Sequence, residues 1–158
     1  MLKVSTCLWS GKNLEEAVRF YVSPVPASRI EHVLRAPGLW LDGEAGDVIL
    51  ITFTLGGQND QAFNGGGPGD YGTAASISVA YPDQAEVDRL WAALTTDGGS
   101  EIACGWLRES WGVSWQIVPE ALPRLLADPD LAVSNRVFLA MQGMVKLDVA
   151  ILERAASG

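Results

Sequence analysis

The chain has 158 residues, 48% of them hydrophobic and 19% charged, a composition that excludes a disordered segment and suffices for one domain with a real core. Its net charge of -8, from 19 acidic against 11 basic residues and with no Lys/Arg cluster, argues against a nucleic-acid surface, because phosphate backbones attract basic partners. No apolar run approaches the roughly 18 residues of a membrane span, and the opening MLKVSTCLWSGKN lacks the apolar stretch and cleavage site of a signal peptide, so a cytoplasmic protein is expected.

In chain order, residues 4–10 (VSTCLWS) read as a strand, short and followed directly by a helix. That helix is NLEEAVRFYV, residues 13–22: Leu14, Ala17, Val18 and Tyr21 recur at helical spacing and Glu15, Glu16 and Arg19 take the other face. Asn13, with Glu16 three positions on, suits an N-cap. Strands are then expected at 28–36, 46–57 and 61–66. The only histidine, His32, falls on the first of these and reads as a surface or paired residue; Asp42, Glu44 and Asp47 form a solvated acidic loop.

The glycine-dense NGGGPGDYG, residues 64–72, invites comparison with a phosphate cradle. A cradle needs a helix N-terminus immediately after it, and residues 73–79 (TAASISV) read as a strand instead. The stretch is therefore expected to be a connecting loop. A second helix follows over residues 83–94, with Asp83 as cap and Val87, Leu90, Trp91 and Leu94 as its apolar stripe; strands are expected at 100–109 and 111–119. Glu109 falls at the turn between them, where a carboxylate is usually exposed. The tail reads as helical, with Leu122, Leu125 and Leu126, then Leu131, Val137, Phe138, Met141 and Met144, then Leu147, Ile151 and Leu152 as packing residues. Cys7 and Cys104 form no CxxC pair and read as free thiols.

The two halves repeat each other at an offset of about 70 residues, Asn13 against Asp83, Glu16 against Glu86, Arg19 against Arg89 and Tyr21 against Trp91. Each half is thus a strand, a helix and two or three antiparallel strands. The expected fold is α+β: tandem βαβββ modules, about 1–66 and about 73–118, forming a curved mixed sheet around a cavity, with helices over about 119–156 as a C-terminal extension of a single domain.

The segments CLWSGKNLEEAVRFYVSPVPASRI, FNGGGP, ISVAYPDQAEVDRLWAAL, GGSEIACGWLRESWGVSWQIVP and RVFLAMQGMVKLDVAILERA resemble the PhnB-like branch of the vicinal oxygen chelate superfamily. That superfamily includes glyoxalase I, extradiol dioxygenases and the bleomycin and fosfomycin resistance proteins, and the branch carries the label 3-demethylubiquinone-9 3-methyltransferase. The resemblance implies a cavity enclosed by paired modules and a homodimer. In metal-dependent members it implies His and Glu ligands on the first strand of each module and on the last strands. Those positions fall here on Thr6, on Ser76, on Gln116 and near Phe63 or Asn64. Neutral side chains are weak ligands, so no metal and no cofactor is expected, and glyoxalase or dioxygenase activity is not expected either. The methyltransferase label is read as a family name, because no glycine-rich turn joins a strand to a helix.

What the resemblance leaves is a cavity lined by Thr6, Leu8, Asn64, Ser76, Ser78, Trp106, Trp115 and Gln116. Of six tryptophans, Trp9, Trp106, Trp111 and Trp115 sit on expected strands, and aromatics around a few polar groups suit a small flat or apolar ligand. No catalytic residue is assigned. The expectation is a metal-free binder of a small organic molecule. Two alternatives stand beside it: an enzyme polarising a carbonyl with Gln116, Ser76 or Asn64, and a structural protein whose cavity is filled by side chains.

Overall fold

The computed structural model describes residues 4–11, 13–40, 43–67, 69 and 71–158. The chain divides into two compact units, Met1–Asp70 and Tyr71–Gly158.

The first unit runs β1 (Cys7–Ser10), α1 (Leu14–Val22), β2 (Arg29–Arg35), β3 (Val48–Leu55) and β4 (Gln58–Asn64), its sheet ordered β1-β4-β3-β2. β1 and β4 are parallel because α1 and a hairpin separate them in sequence; the other pairs are antiparallel. β3 and β4 join through Gly56 and Gly57, both at positive φ (56° and 87°), as a two-residue hairpin of this hand requires. Leu14, Ala17, Val18 and Tyr21 bury the inner stripe of α1 alongside Ile51, Phe53 and Leu55 of β3, each large side chain contributing about 1.5–3 kcal/mol. β2 is one of the two edge strands, bulged near His32 and Arg35 and rich in charge, which discourages pairing with another chain.

The second unit repeats the plan with β5 (Ile77–Tyr81), α2 (Gln84–Thr95), β6 (Ser100–Glu101), β7 (Trp106–Arg108) and β8 (Ser114–Pro119), ordered β5-β8-β7-β6 with β5 and β8 parallel. Helices α3 (Ala121–Leu126), α4 (Leu131–Gln142) and α5 (Val149–Ser157) follow. The two βαβββ modules and the helical extension are as the sequence implies.

Four local expectations are corrected. Asn13 makes no side-chain cap bond, because its backbone (φ -95°, ψ 33°) is not extended; Asp83 (φ -137°, ψ 165°) is extended and accepts from Glu86 N. The strand expected over 100–109 is broken, since Cys104 and Gly105 adopt φ of 60° and 81°. Their N–H groups donate to the carbonyls of Met144 and Val145 (2.8 and 2.7 Å), so the C-terminal segment docks where the strand opens. Trp111 lies in the β7–β8 turn rather than on a strand. In the tail, Leu122, Leu125, Val137, Met144, Leu147 and Leu152 form a core, whereas Leu131, Phe138 and Ile151 are exposed.

Candidate functional site

Each sheet has a face against its helix and a far face. In the second unit Ile77, Val79, Leu107, Trp115 and Ile117 share the helix side, with Leu107, Trp115 and Ile117 fully buried. Strand alternation then places Ser78, Trp106, Arg108, Ser114 and Gln116 on the far face. Gln116 stands in register with both Ser78 and Trp106, and its Nε2 donates to Ser76 Oγ at 2.7 Å. Ser114 is buried, its hydroxyl donating to the carbonyl of Gly72. Val118, at the end of the same face, packs against the C-terminal helical core.

This gathers Ser76, Ser78, Trp106 and Gln116, four of the eight expected lining residues. Trp115 is not with them: it alternates with Gln116 and belongs to the core on the helix side.

In the first unit the alternation runs the other way. Leu8 pairs with Ala62, which pairs with Ile51 under α1, so Leu8 and Asn64 point to the helix side. Asn64 is buried, with its amide donating to Val48 O and its carbonyl accepting from Gly66 N; it is a turn-former. Thr6 lies before β1 and is exposed. The far face instead carries Cys7, Trp9, Gln61 and Phe63. Trp9 and Phe63 are ring neighbours at 5.8 Å, and Trp9 Nε1 donates to Gly67 O. A Cβ on Gly65 would stand 1.8 Å from the Trp9 ring, so that glycine lets the indole lie against the backbone. Gly65 N and Gly66 N are already bonded, to Ser10 O and Asn64 Oδ1. These two amides are therefore not free to cradle an anion, and the residue stretch expected to connect the halves has no helix N-terminus directly after it.

Among the polar groups, Glu109 departs furthest from expectation. It is only 2% exposed, and its carboxylate accepts from Trp111 N and Val113 N, both at 2.6 Å. Burial drives its pKa up to about 7, partly opposed by those two N–H groups. It organises the β7–β8 hairpin from the helix side, where a catalytic acid would have no access to the far face. In the acidic loop Asp47 accepts from Glu44 N and from Trp40 Nε1; Asp42 lies outside the described residues. Burial also raises the Cys7 thiol.

The donor set does not fit a divalent transition ion. Among the described residues no three His, Cys, Asp or Glu side chains come together to hold one, and the pair at the expected ligand positions, Ser76 and Gln116, is neutral. Arg108 was missed at the sequence level, although its alternation with Leu107 in "GWLRE" put it on the same face as Trp106.

A βαβββ unit repeated in tandem, each sheet ordered first-fourth-third-second, defines the vicinal oxygen chelate superfamily, and the chain has that fold. Within it, the family model described as 3-demethylubiquinone-9 3-methyltransferase matches residues 2–118, and the chain belongs to that family. Among solved structures it is similar to the PhnB protein from Bacillus cereus, at 29% identity and a TM-score of 0.67 over 75% of this chain and 99% of that one. A protein from Pseudomonas aeruginosa matches at 22% identity and TM-score 0.62, over 76% and 98% of the two chains. The fosfomycin resistance protein FosX from Mesorhizobium loti shares the fold at 13% identity and TM-score 0.52, over 75% and 92%. No curated protein matches the chain. Helices α3 to α5 follow the last residue that the family model matches. No helix among the described residues is long and apolar enough to cross a membrane.

Proposed function

We propose that the chain binds a small organic molecule on the far face of its second sheet, without a transition metal. The observation that carries this reading is the Gln116–Ser76 hydrogen bond. It fixes a neutral amide at the centre of the face, beside the indole of Trp106, where a metal-dependent relative would present charged ligands. One aromatic surface with a few oriented polar groups is the usual make-up of a small-ligand site. An enzymatic reading has less support: among the described far-face residues Ser76, Ser78 and Ser114 offer hydroxyls, and no imidazole or carboxylate is bonded to them as a base.

The test is isolation of the full chain from its native host, followed by native mass spectrometry and elemental analysis. The expected result is a retained small molecule, absent from the Gln116→Ala protein, and no stoichiometric transition metal. One metal ion per chain, or a chain that carries no molecule, overturns the reading.

A further inference from the structure

This inference rests on the small-molecule reading of the far face and concerns the charge of the ligand. Arg108 closes β7 on that face, two residues from Trp106 and in register with Ser114. Arg19, Arg29, Arg35, Arg89 and Arg124 each face a carboxylate, and Arg136 donates to the carbonyls of Ala155 and Ala156. Among the described residues Arg108 does neither. Its Nε is buried with no hydrogen-bond partner among the described residues. The adjacent acid, Glu109, alternates to the helix side and is held by Trp111 N and Val113 N.

A guanidinium stays charged across the working pH range, and its flat fork matches two oxygens of a carboxylate or phosphate. Buried N–H groups almost always have an acceptor, and here the described residues supply none to Arg108 Nε. A cation in this position draws its counter-charge from outside. We propose that the ligand of this face is a small organic anion, a carboxylate or phosphoryl compound with a flat or apolar body. Its oxygens meet the Arg108 fork, and its body lies against Trp106 and the Gln116 amide. The net charge of -8 repels anions at long range, so recognition is by contact and fades as salt screens the pair.

The experiment titrates the nitrogen-15-labelled full chain with benzoate, with phenylphosphonate and with neutral benzamide. The readouts are the Arg108 Nε–H signal, assigned with Arg108→Lys, and the Trp106 indole signal, assigned with Trp106→Phe. Saturable shifts of both with an anion are expected, with benzamide at least about tenfold weaker. Arg108→Gln should lose at least about tenfold in anion affinity while its melting temperature stays near that of the parent. Equal binding of benzamide and benzoate, an unchanged affinity in Arg108→Gln, or no shift with either anion overturns the anion assignment. None of these touches the small-molecule reading, which fails separately if protein from the native host carries nothing.

Discussion

The side-chain amide of Gln116 donates to the hydroxyl of Ser76 across 2.7 Å, joining the last strand of the second sheet to the residue just before its first. Both residues occupy positions where the resemblance implied metal ligands. A carboxylate and an imidazole placed there would sit within reach of one ion. The double variant Ser76→His with Gln116→Glu is therefore expected to bind Zn2+ at least about tenfold more tightly than the parent, measured by isothermal titration. No gain would mean that the two side chains do not converge on a common point.

Glu109 makes stability depend on pH. Its folded pKa, about 7, lies above the ordinary 4.5 because burial penalises the charge. The folded state therefore prefers the protonated acid. The associated stability is complete below about pH 4.5 and is lost as pH rises through about 7. For a group only 2% exposed the loss is on the order of 3 kcal/mol. Urea unfolding of the parent should show this decline between pH 4.5 and 7.5. Glu109→Gln should flatten it, at a cost of about 1–2 kcal/mol at the acid end from its weakened bonds to Trp111 N and Val113 N. A parent whose stability rises over that range would contradict the assignment.

Gly105 combines a φ of 81° with a crowded site. An added Cβ would stand 2.8 Å from Leu147 Cδ1 and 3.0 Å from Ile117 O. Gly105→Ala therefore meets both backbone strain and overpacking, together about 2–4 kcal/mol. The damage should concentrate where the C-terminal segment docks. Thermal unfolding should report the loss, and limited proteolysis should cut the variant first within 119–158.

Gln84 ties the start of α2 to the same segment. Its amide donates to Leu147 O and Asp88 Oδ1, and its carbonyl accepts from Val149 N; Lys146 pairs with Asp88 alongside. Gln84→Ala leaves Val149 N without its acceptor and should cost about 1–3 kcal/mol. Hydrogen exchange is expected to quicken across Val149–Ser157 while Leu14–Val22 keeps its protection. Unchanged exchange in α5 would show that the bonds contribute little there.

The local elements were legible in the residues. The buried stripes of α1 and α2, Leu14, Ala17, Val18 and Tyr21, then Val87, Leu90, Trp91 and Leu94, follow from a 3.6-residue period written into the chain. Asp83 announced its cap and the duplicated order of elements the paired modules, whereas the hairpin at Gly56 and Gly57 fell inside a strand expected over 46–57. Periodicity is a local property, and a sequence carries it unaided. Which face of a strand looks where is not local. The offset of about 70 set Leu8 against Ser78, yet Leu8 points to its helix and Ser78 away from its own, since a shift of one residue reverses every side chain on a strand. Tertiary packing alone decided that Trp115 and Asn64 are buried structural residues, that Glu109 is enclosed although it follows a turn, and that Arg108 Nε is buried with no acceptor among the described residues. Burial and hydrogen bonding of a polar group depend on neighbours distant in sequence, which come together only when the sheet and its helix close on each other.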